Sequence, residues 1–301
     1  MNGILNVYKE AGWTSFDVVA KLRGILKTKK IGHGGTLDPQ VTGVLPVAVG
    51  KATRLLEYME EAGKVYEGEV TIGFSTETED AEGAVIERTQ VPLTLSESEI
   101  DACMRNFLGE IQQVPPMYSA VKVKGKRLYE YARAGQTVER PIRKVTIKKF
   151  TRTSPVIFVN DCARFTFRVA CSKGTYVRTL AVDLSAALGY AGHMSKLQRT
   201  AANGLQITES LTLEQIEEYV KAEKLEEILQ PNEVAVSDLP RVDLTLEQAE
   251  AVRVGKKFEE SEFNSPETDK KLAFFYENKL LAVYMKHPEK PGILKPNKVI
   301  N

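Results

Sequence analysis

The chain has 301 residues, room for roughly two domains and a sizeable core. Its 43% hydrophobic and 27% charged residues are ordinary for a globular protein, and a formal charge of +1 excludes a uniformly basic polyanion-coating protein while allowing one basic face. The most apolar run, residues 280–285, is far short of the ~20 residues a spanning helix needs. No secretory signal is visible at Met1-Asn2-Gly3. Cys103, Cys162 and Cys171 form no Cys-x-x-Cys pattern, and His33, His193 and His287 lie far apart. A disulfide framework, a zinc ribbon and a His-rich metal site are therefore not expected, and a reducing cytoplasm is.

In chain order, Ser15 can cap a helix that puts Val18, Val19, Leu22, Ile25 and Leu26 on one face. A strand is predicted over 66–73. Ser96 and Glu99 have capping-box spacing, and Ile100, Met104, Phe107 and Leu108 carry that helix to Gly109. Strands follow over 118–123, 145–150 and 164–171. Helices follow over 176–188, from Thr212 (with Gln215) through Leu229, and from Thr245 (with Gln248) to near Gly255. The Ser/Asn/Pro/Glu-rich stretch 261–269 precedes strands over 272–276 and 280–285, joined as a hairpin by Glu277-Asn278-Lys279. This irregular mixture argues α+β, with a boundary near residues 238–240. Charge is uneven: net +5 over residues 1–56, −11 over 57–110, +9 over 122–152 and −7 over 209–238. One such run is ordinarily a solvated face, but two basic blocks in a balanced chain point to a polyanion-binding surface.

Four segments carry chemistry. Gly32-His33-Gly34-Gly35-Thr36-Leu37-Asp38-Pro39 is glycine-dense, so its backbone can approach a ligand, and Pro39 keeps Asp38 out of the α region. The result is a carboxylate on a rigid loop, although a surface turn reads the same way. Neither G-x-G-x-x-G nor G-K-[ST] occurs, so no dinucleotide or P-loop site is expected. Cys171-Ser172-Lys173-Gly174-Thr175-Tyr176-Val177-Arg178 joins a strand to a helix. It sets Arg178 near the helix N-terminus, either as a surface arginine or as partner of a carboxylate from another loop. Pro115-Pro116-Met117-Tyr118-Ser119-Ala120-Val121-Lys122 and Gly125-Lys126-Arg127-Leu128-Tyr129-Glu130-Tyr131-Ala132-Arg133 interleave basic side chains with tyrosines. That mixture suits phosphate contact and base stacking on single-stranded or looped RNA, or a basic hairpin with core tyrosines. Lys64-Val65-Tyr66 opens a strand, where a tyrosine is ordinarily core.

In combination, order and spacing these segments resemble the TruB family of tRNA pseudouridine synthases, from Asn2-Gly3-Ile4 through His193-Met194-Ser195-Lys196-Leu197 and more loosely to the end. The resemblance implies a mixed, largely antiparallel central sheet with flanking helices over residues 1–238, carrying a basic RNA-clamping insertion at about 122–152. It also implies a small β-rich, PUA-like RNA-binding domain over 239–301. The implied activity is conversion of a uridine to pseudouridine in the T-loop (position 55) of tRNA, by a monomer with no cofactor, no metal and no protein partner. The family's catalytic aspartate falls on Asp38, its base-stacking tyrosine on Tyr66, and the tyrosine and arginine of its second strand–helix junction on Tyr176 and Arg178. Its apolar leucine falls on Leu197, the histidine supporting the flipped-out loop on His33, and a uracil-side aspartate on Asp80. Lys9, Lys124, Lys126 and Arg127 are expected on the RNA backbone. Two positions depart from the pattern. Gly34 stands where the family usually has Thr or Ser, which would loosen the loop holding His33, and Glu10 stands where Pro usually follows Lys9.

The implied reaction breaks N1–C1′, turns the uracil and joins C5 to C1′, so nothing external is consumed. A carboxylate serves it by attacking or stabilising C1′, or by adding to C6; the residues do not choose between these. Flipping the target from its stack costs a few kcal/mol, which His33 and the basic faces would offset. Stacking on Tyr66, worth ~1–3 kcal/mol per base, would hold the detached ring. The rival readings are a non-catalytic RNA-binding or RNA-folding protein and a guide-dependent RNA pseudouridine synthase. The intact set of Asp38, Tyr66, Tyr176 and Arg178 argues against the first, and the family-type start at Asn2 against the second.

Overall fold

The computed structural model describes residues 1–263 and 269–300. Its main sheet has ten strands. Along its path lie Gly3–Lys9, Thr42–Val49, Gly192–Ala202, Lys64–Ile72, Cys162–Cys171, Arg143–Arg152 and Gly109–Gln113, in that spatial order. Neighbours are antiparallel except Thr42–Val49 and Gly192–Ala202, which run parallel. Alternation sets the faces. In Arg143–Arg152, Val145, Ile147 and Phe150 are buried while Lys144 and Thr146 are exposed, and a bulge between Ile147 and Lys149 keeps Phe150 on the core side.

The core lies on that face. Phe150 and Phe167 meet edge to face at 5.6 Å, and Leu180, Ala181 and Leu184 of helix Val177–Ala187 pack with them, together with Ile100 and Met104 of helix Glu97–Arg105. Truncating one such buried phenylalanine to alanine costs about 3–5 kcal/mol. A second core packs Val18, Val19, Leu22 and Leu26 of helix Ser15–Leu26 on Leu5, Val7, Leu45, Val47 and Val49. The mixed α+β class expected from the sequence is what is observed.

A separate five-stranded sheet holds Arg241–Asp243, Leu272–Tyr276, Lys279–Lys286, Ile293–Val299 and Phe258–Glu259, in that order. Ala273, Phe275, Leu280 and Val283 from it share a cluster with Ile4, Val44, Leu55, Tyr58 and Met59 of the first body. The Glu277-Asn278 turn has φ of +49° and +63° at its two residues, as a tight hairpin turn of this hand requires.

Several expected boundaries shift. The first helix is capped by Thr14, in a capping box with Asp17, rather than by Ser15. The Ser96 helix stops at Arg105, and Gly109, with φ +91°, opens a strand. The Thr212 helix ends at Lys221 instead of continuing through Leu229, with a 3-10 turn at Leu225–Glu227 beyond it. Of the strand expected over 118–123 only Lys122–Val123 pairs, with Lys126–Arg127, because Ser119 and Val121 turn their carbonyls to Tyr129 and Leu128 of the following helix. The expected 261–269 loop falls partly outside the described residues. Among the described residues no helix is long and apolar enough to cross a membrane.

Candidate active site

The Asp38 loop is held from several sides. Its entry strand Ile31–His33 pairs with Thr42–Val49, and the Gly34 N–H donates to Pro46 O at 2.8 Å. The Ser15 hydroxyl accepts from Leu37 N at 2.9 Å and donates to Leu37 O, which joins the start of the first helix to the residue before Asp38. Lys9 Nζ donates to Pro39 O (2.8 Å), Trp13 O (2.6 Å) and Glu10 O (2.9 Å). Fully buried Arg199 donates to Gly35 O (3.1 Å), Thr36 O and Val44 O (2.7 Å).

Two expectations change here. Lys9, expected on RNA phosphate, is buried and spends all three N–H groups on loop carbonyls, so it braces the Asp38 loop from inside. Burial pushes its pKa down to about 8, against the pull of Asp38. The departure at Gly34 does not leave the loop loose. A Cβ there would stand 2.7 Å from Met59 Cβ, so Met59 fills the space a larger residue would take. Gly35, at φ +127°, lies over Lys64 and Arg199.

Arg178 arrives from the opposite side. Tyr176 is the N-cap of helix Val177–Ala187, fixed by buried Gln113, which donates Nε2 to Tyr176 O and accepts from Tyr176 N. Arg178, in the first helical turn, is buried. Its Nη2 lies 2.9 Å from Asp38 Oδ2 and donates to Tyr118 O at 3.0 Å, and its Nη1 donates to Thr78 O at 2.9 Å. Asp80 Oδ2 is 3.9 Å from Nη1, with Asp80 itself anchored by the Thr78 hydroxyl and Glu82 N. The preceding Glu79, left-handed at φ +65°, is lifted above the usual carboxylate range by burial and bonded by Thr179.

The Asp38–Arg178 pair stands on the wall shared by two hollows. The larger, about 1440 Å³, is an open groove reached by His33, Asp80, Arg127 and Leu197. The smaller, about 740 Å³, holds Tyr66, Tyr176, Lys64 and Leu197. Tyr66 is buried, which raises its pKa, while Arg199, opposite it in register on the next strand, pulls the other way. His33 Nδ1 accepts from Gly35 N, and burial beside Arg199 holds the ring below its usual pKa, so it is neutral at pH 7. Lys124 and Lys126 line neither hollow and sit on the exposed hairpin. Arg127 is on both the hairpin and the groove, its guanidinium 5.7 Å from the Tyr129 ring.

Sequence reasoning missed Arg199, Gln113 and the placement of Lys64. Lys64 Nζ donates to Glu60 O and Ala62 O, and burial pushes its pKa down to about 8. The signal for Lys64 was its place two residues before Tyr66; Arg199 gives none until strand register puts it opposite Tyr66, and Gln113 none until its side chain is seen bonded to the Tyr176 backbone. Among the described residues no group of three or more His, Cys, Asp or Glu side chains could hold a metal ion.

Comparison with known proteins shows the family of the chain. A family model described as TruB family pseudouridylate synthase (N terminal domain) matches residues 23–177, and one described as tRNA pseudouridylate synthase B C-terminal domain matches 178–237. A tRNA pseudouridine synthase B of Lactococcus lactis subsp. lactis (strain IL1403) is 64% identical, covering 100% of this chain and 98% of its own. One of Streptococcus pneumoniae serotype 4 is 56% identical over 100% of both chains. Among solved structures, a Cbf5-Nop10-Gar1 complex matches with a TM-score of 0.75 and 29% identity, over 99% of this chain and 85% of the other. An H/ACA RNP bound to a substrate RNA containing 2′-deoxyuridine matches with a TM-score of 0.72, 26% identity and the same coverage. A carboxylate clamped on a Gly-rich loop, paired with an arginine from a strand–helix junction and lining the same hollow as a buried tyrosine, thus accompanies full-length similarity, and the chain belongs to the TruB family of pseudouridylate synthases.

Proposed function

We propose that this chain isomerises a uridine of tRNA to pseudouridine, at position 55 in the T-loop, with Asp38 as the essential carboxylate. The observation that carries the reading is the 2.9 Å Asp38–Arg178 contact on the wall of a chamber that also holds Tyr66, Tyr176 and Leu197. Arg178 orients the Asp38 carboxylate; the carboxylate acts on C1′ or on C6 of the flipped uridine. Breaking C1′–N1 leaves the electron pair on the uracil. The ring turns within the chamber against Tyr66 and Leu197, C5 bonds to C1′, and the C5 proton is lost as N1 regains one. His33, on the groove side, supports the loop from which the base flips, and Asp80 faces the same groove. Full-length relatives named tRNA pseudouridine synthase B support a stand-alone enzyme over a guide-dependent one.

The same reading assigns catalysis to residues 1–238 and RNA binding to 239–301 and to the 122–152 insertion, in a cytoplasmic monomer that needs no cofactor or protein partner. It is tested with purified protein and an unmodified tRNA transcript, without guide RNA. One pseudouridine per tRNA, lost when the target uridine is replaced, is expected; none formed, or formation only with a guide RNA, overturns it. On a short pre-folded stem–loop, activity should survive EDTA.

A further inference from the structure

Phe16 is 66% exposed, although it belongs to a well-formed helix of twelve residues. The buried face of that helix is Ser15, Val18, Val19, Leu22 and Leu26, and Phe16 lies off it. Among the described residues it makes no ring–ring or cation–ring contact. A single exposed phenylalanine is commonplace on convex surface. Phe16 instead lines the concave groove that contains Asp38, Pro39 and Gln40.

Its position relative to Asp38 is fixed. Ser15, its neighbour, is hydrogen-bonded both ways to Leu37, the neighbour of Asp38, and Thr14 and Asp17 close a capping box around it. Elsewhere in the groove Tyr129 already carries two guanidinium groups, Arg127 at 5.7 Å and Arg133 at 5.3 Å from its ring centroid, and Tyr118 is tied through its hydroxyl to Glu77. Of the four aromatic residues besides histidine that line this groove, Phe16 is the exposed one, Tyr118 and Tyr129 being half-buried and Phe167 buried, and among the described residues it has no ring or cation partner.

We propose that Phe16 is a stacking platform for an RNA base that loses its neighbour when the target uridine leaves the loop. This rests on the RNA-directed reading above. Removing one base from a stack exposes the faces of those beside it, and an aromatic held in the groove that contains the reacting carboxylate replaces the lost face. The ligand class is a nucleobase in a single-stranded loop; stacking is sequence-tolerant, so any base at that position is held.

The test is a double-mutant cycle between protein and RNA. Wild type, Phe16→Ala, Phe16→Leu and Phe16→Trp are titrated with a T-arm stem–loop and with versions made abasic at each non-target loop position, and Kd, KM and kcat are read. Phe16→Ala should raise Kd and KM roughly tenfold, which sits within the range for one stacked base, with kcat falling by much less. Phe16→Trp should match or exceed wild type and Phe16→Leu fall between. At one loop position the abasic RNA should weaken wild type by that same factor and Phe16→Ala hardly further. Kd for Phe16→Ala within about twofold of wild type, additive losses at every loop position, or a fall in kcat with KM unmoved would each overturn the proposal. If wild type binds the RNA but forms no pseudouridine, the catalytic reading fails while the binding cycle still decides the role of Phe16.

Discussion

Arg178 Nη2 lies 2.9 Å from Asp38 Oδ2 while the same guanidinium is held by the carbonyls of Thr78 and Tyr118. One planar fork therefore fixes the carboxylate relative to two other segments, a task an ammonium cannot reproduce. Arg178→Lys should lower the single-turnover rate about 10²-fold, roughly 2.7 kcal/mol of barrier, with a much smaller change in RNA affinity. A rate within threefold of wild type would remove Arg178 from the account.

Lys9 is expected to act through the loop alone. Lys9→Met removes the ammonium donor shared by the carbonyls of Glu10, Trp13 and Pro39, of which Pro39 O keeps its bond from Gly12 N, at a cost of about 1–3 kcal/mol. Thermal unfolding should shift down by ~5 °C, and the salt dependence of RNA binding should be unchanged. A flatter salt slope would return Lys9 to the phosphate-binding set.

Lys64 predicts a pH effect of definite sign. Its pKa is about 8 in the folded chain and near 10.5 unfolded, so between these values the unfolded state binds more protons and the Lys64 contribution to stability rises with pH. Cys171, pushed up to about 11, acts oppositely above pH 9, so the comparison must be with Lys64→Met rather than with wild type alone. The wild-type minus Lys64→Met unfolding free energy, from urea titrations at pH 7.5 and 10, should increase. A flat or falling difference would place the ammonium in a solvated setting.

The hairpin Lys122–Val123/Lys126–Arg127 presents exposed cations and turns at Lys124 and Gly125, both at positive φ. Replacing Lys124, Lys126 and Arg127 by alanine should weaken tRNA binding and flatten log Kd against log salt by up to about one unit per lost phosphate contact. Because Arg127 also lines the groove, the single Arg127→Ala variant should account for most of any change in rate. Unchanged affinity and slope would move the RNA footprint elsewhere.

How much of this was legible follows from the range of the interactions. Capping boxes at Ser96, Thr212 and Thr245 are four-residue patterns and are found as expected. The pairing of Asp38 with Arg178 was anticipated from chemistry and motif, although 140 positions separate the two in the numbering. The burial of Lys9 was not, because three carbonyl acceptors have no sequence signature. The irregular run after Tyr118 was missed because β-prone residues there give their carbonyls to Arg178 and to a following helix rather than to a strand. The fit of Gly34 on Met59 shows the same limit: whether a glycine loosens or packs a loop depends on what the helix Leu56–Glu61 brings against it.

The central claim rests on Asp38, the one carboxylate on the Gly-rich loop. Purified wild type and Asp38→Asn should be incubated with unmodified tRNA transcript, and pseudouridine counted at position 55. The account predicts about one pseudouridine per tRNA for wild type and no turnover for Asp38→Asn, with tRNA binding retained. Turnover by Asp38→Asn within about tenfold of wild type, only ~1.4 kcal/mol of barrier, would contradict it.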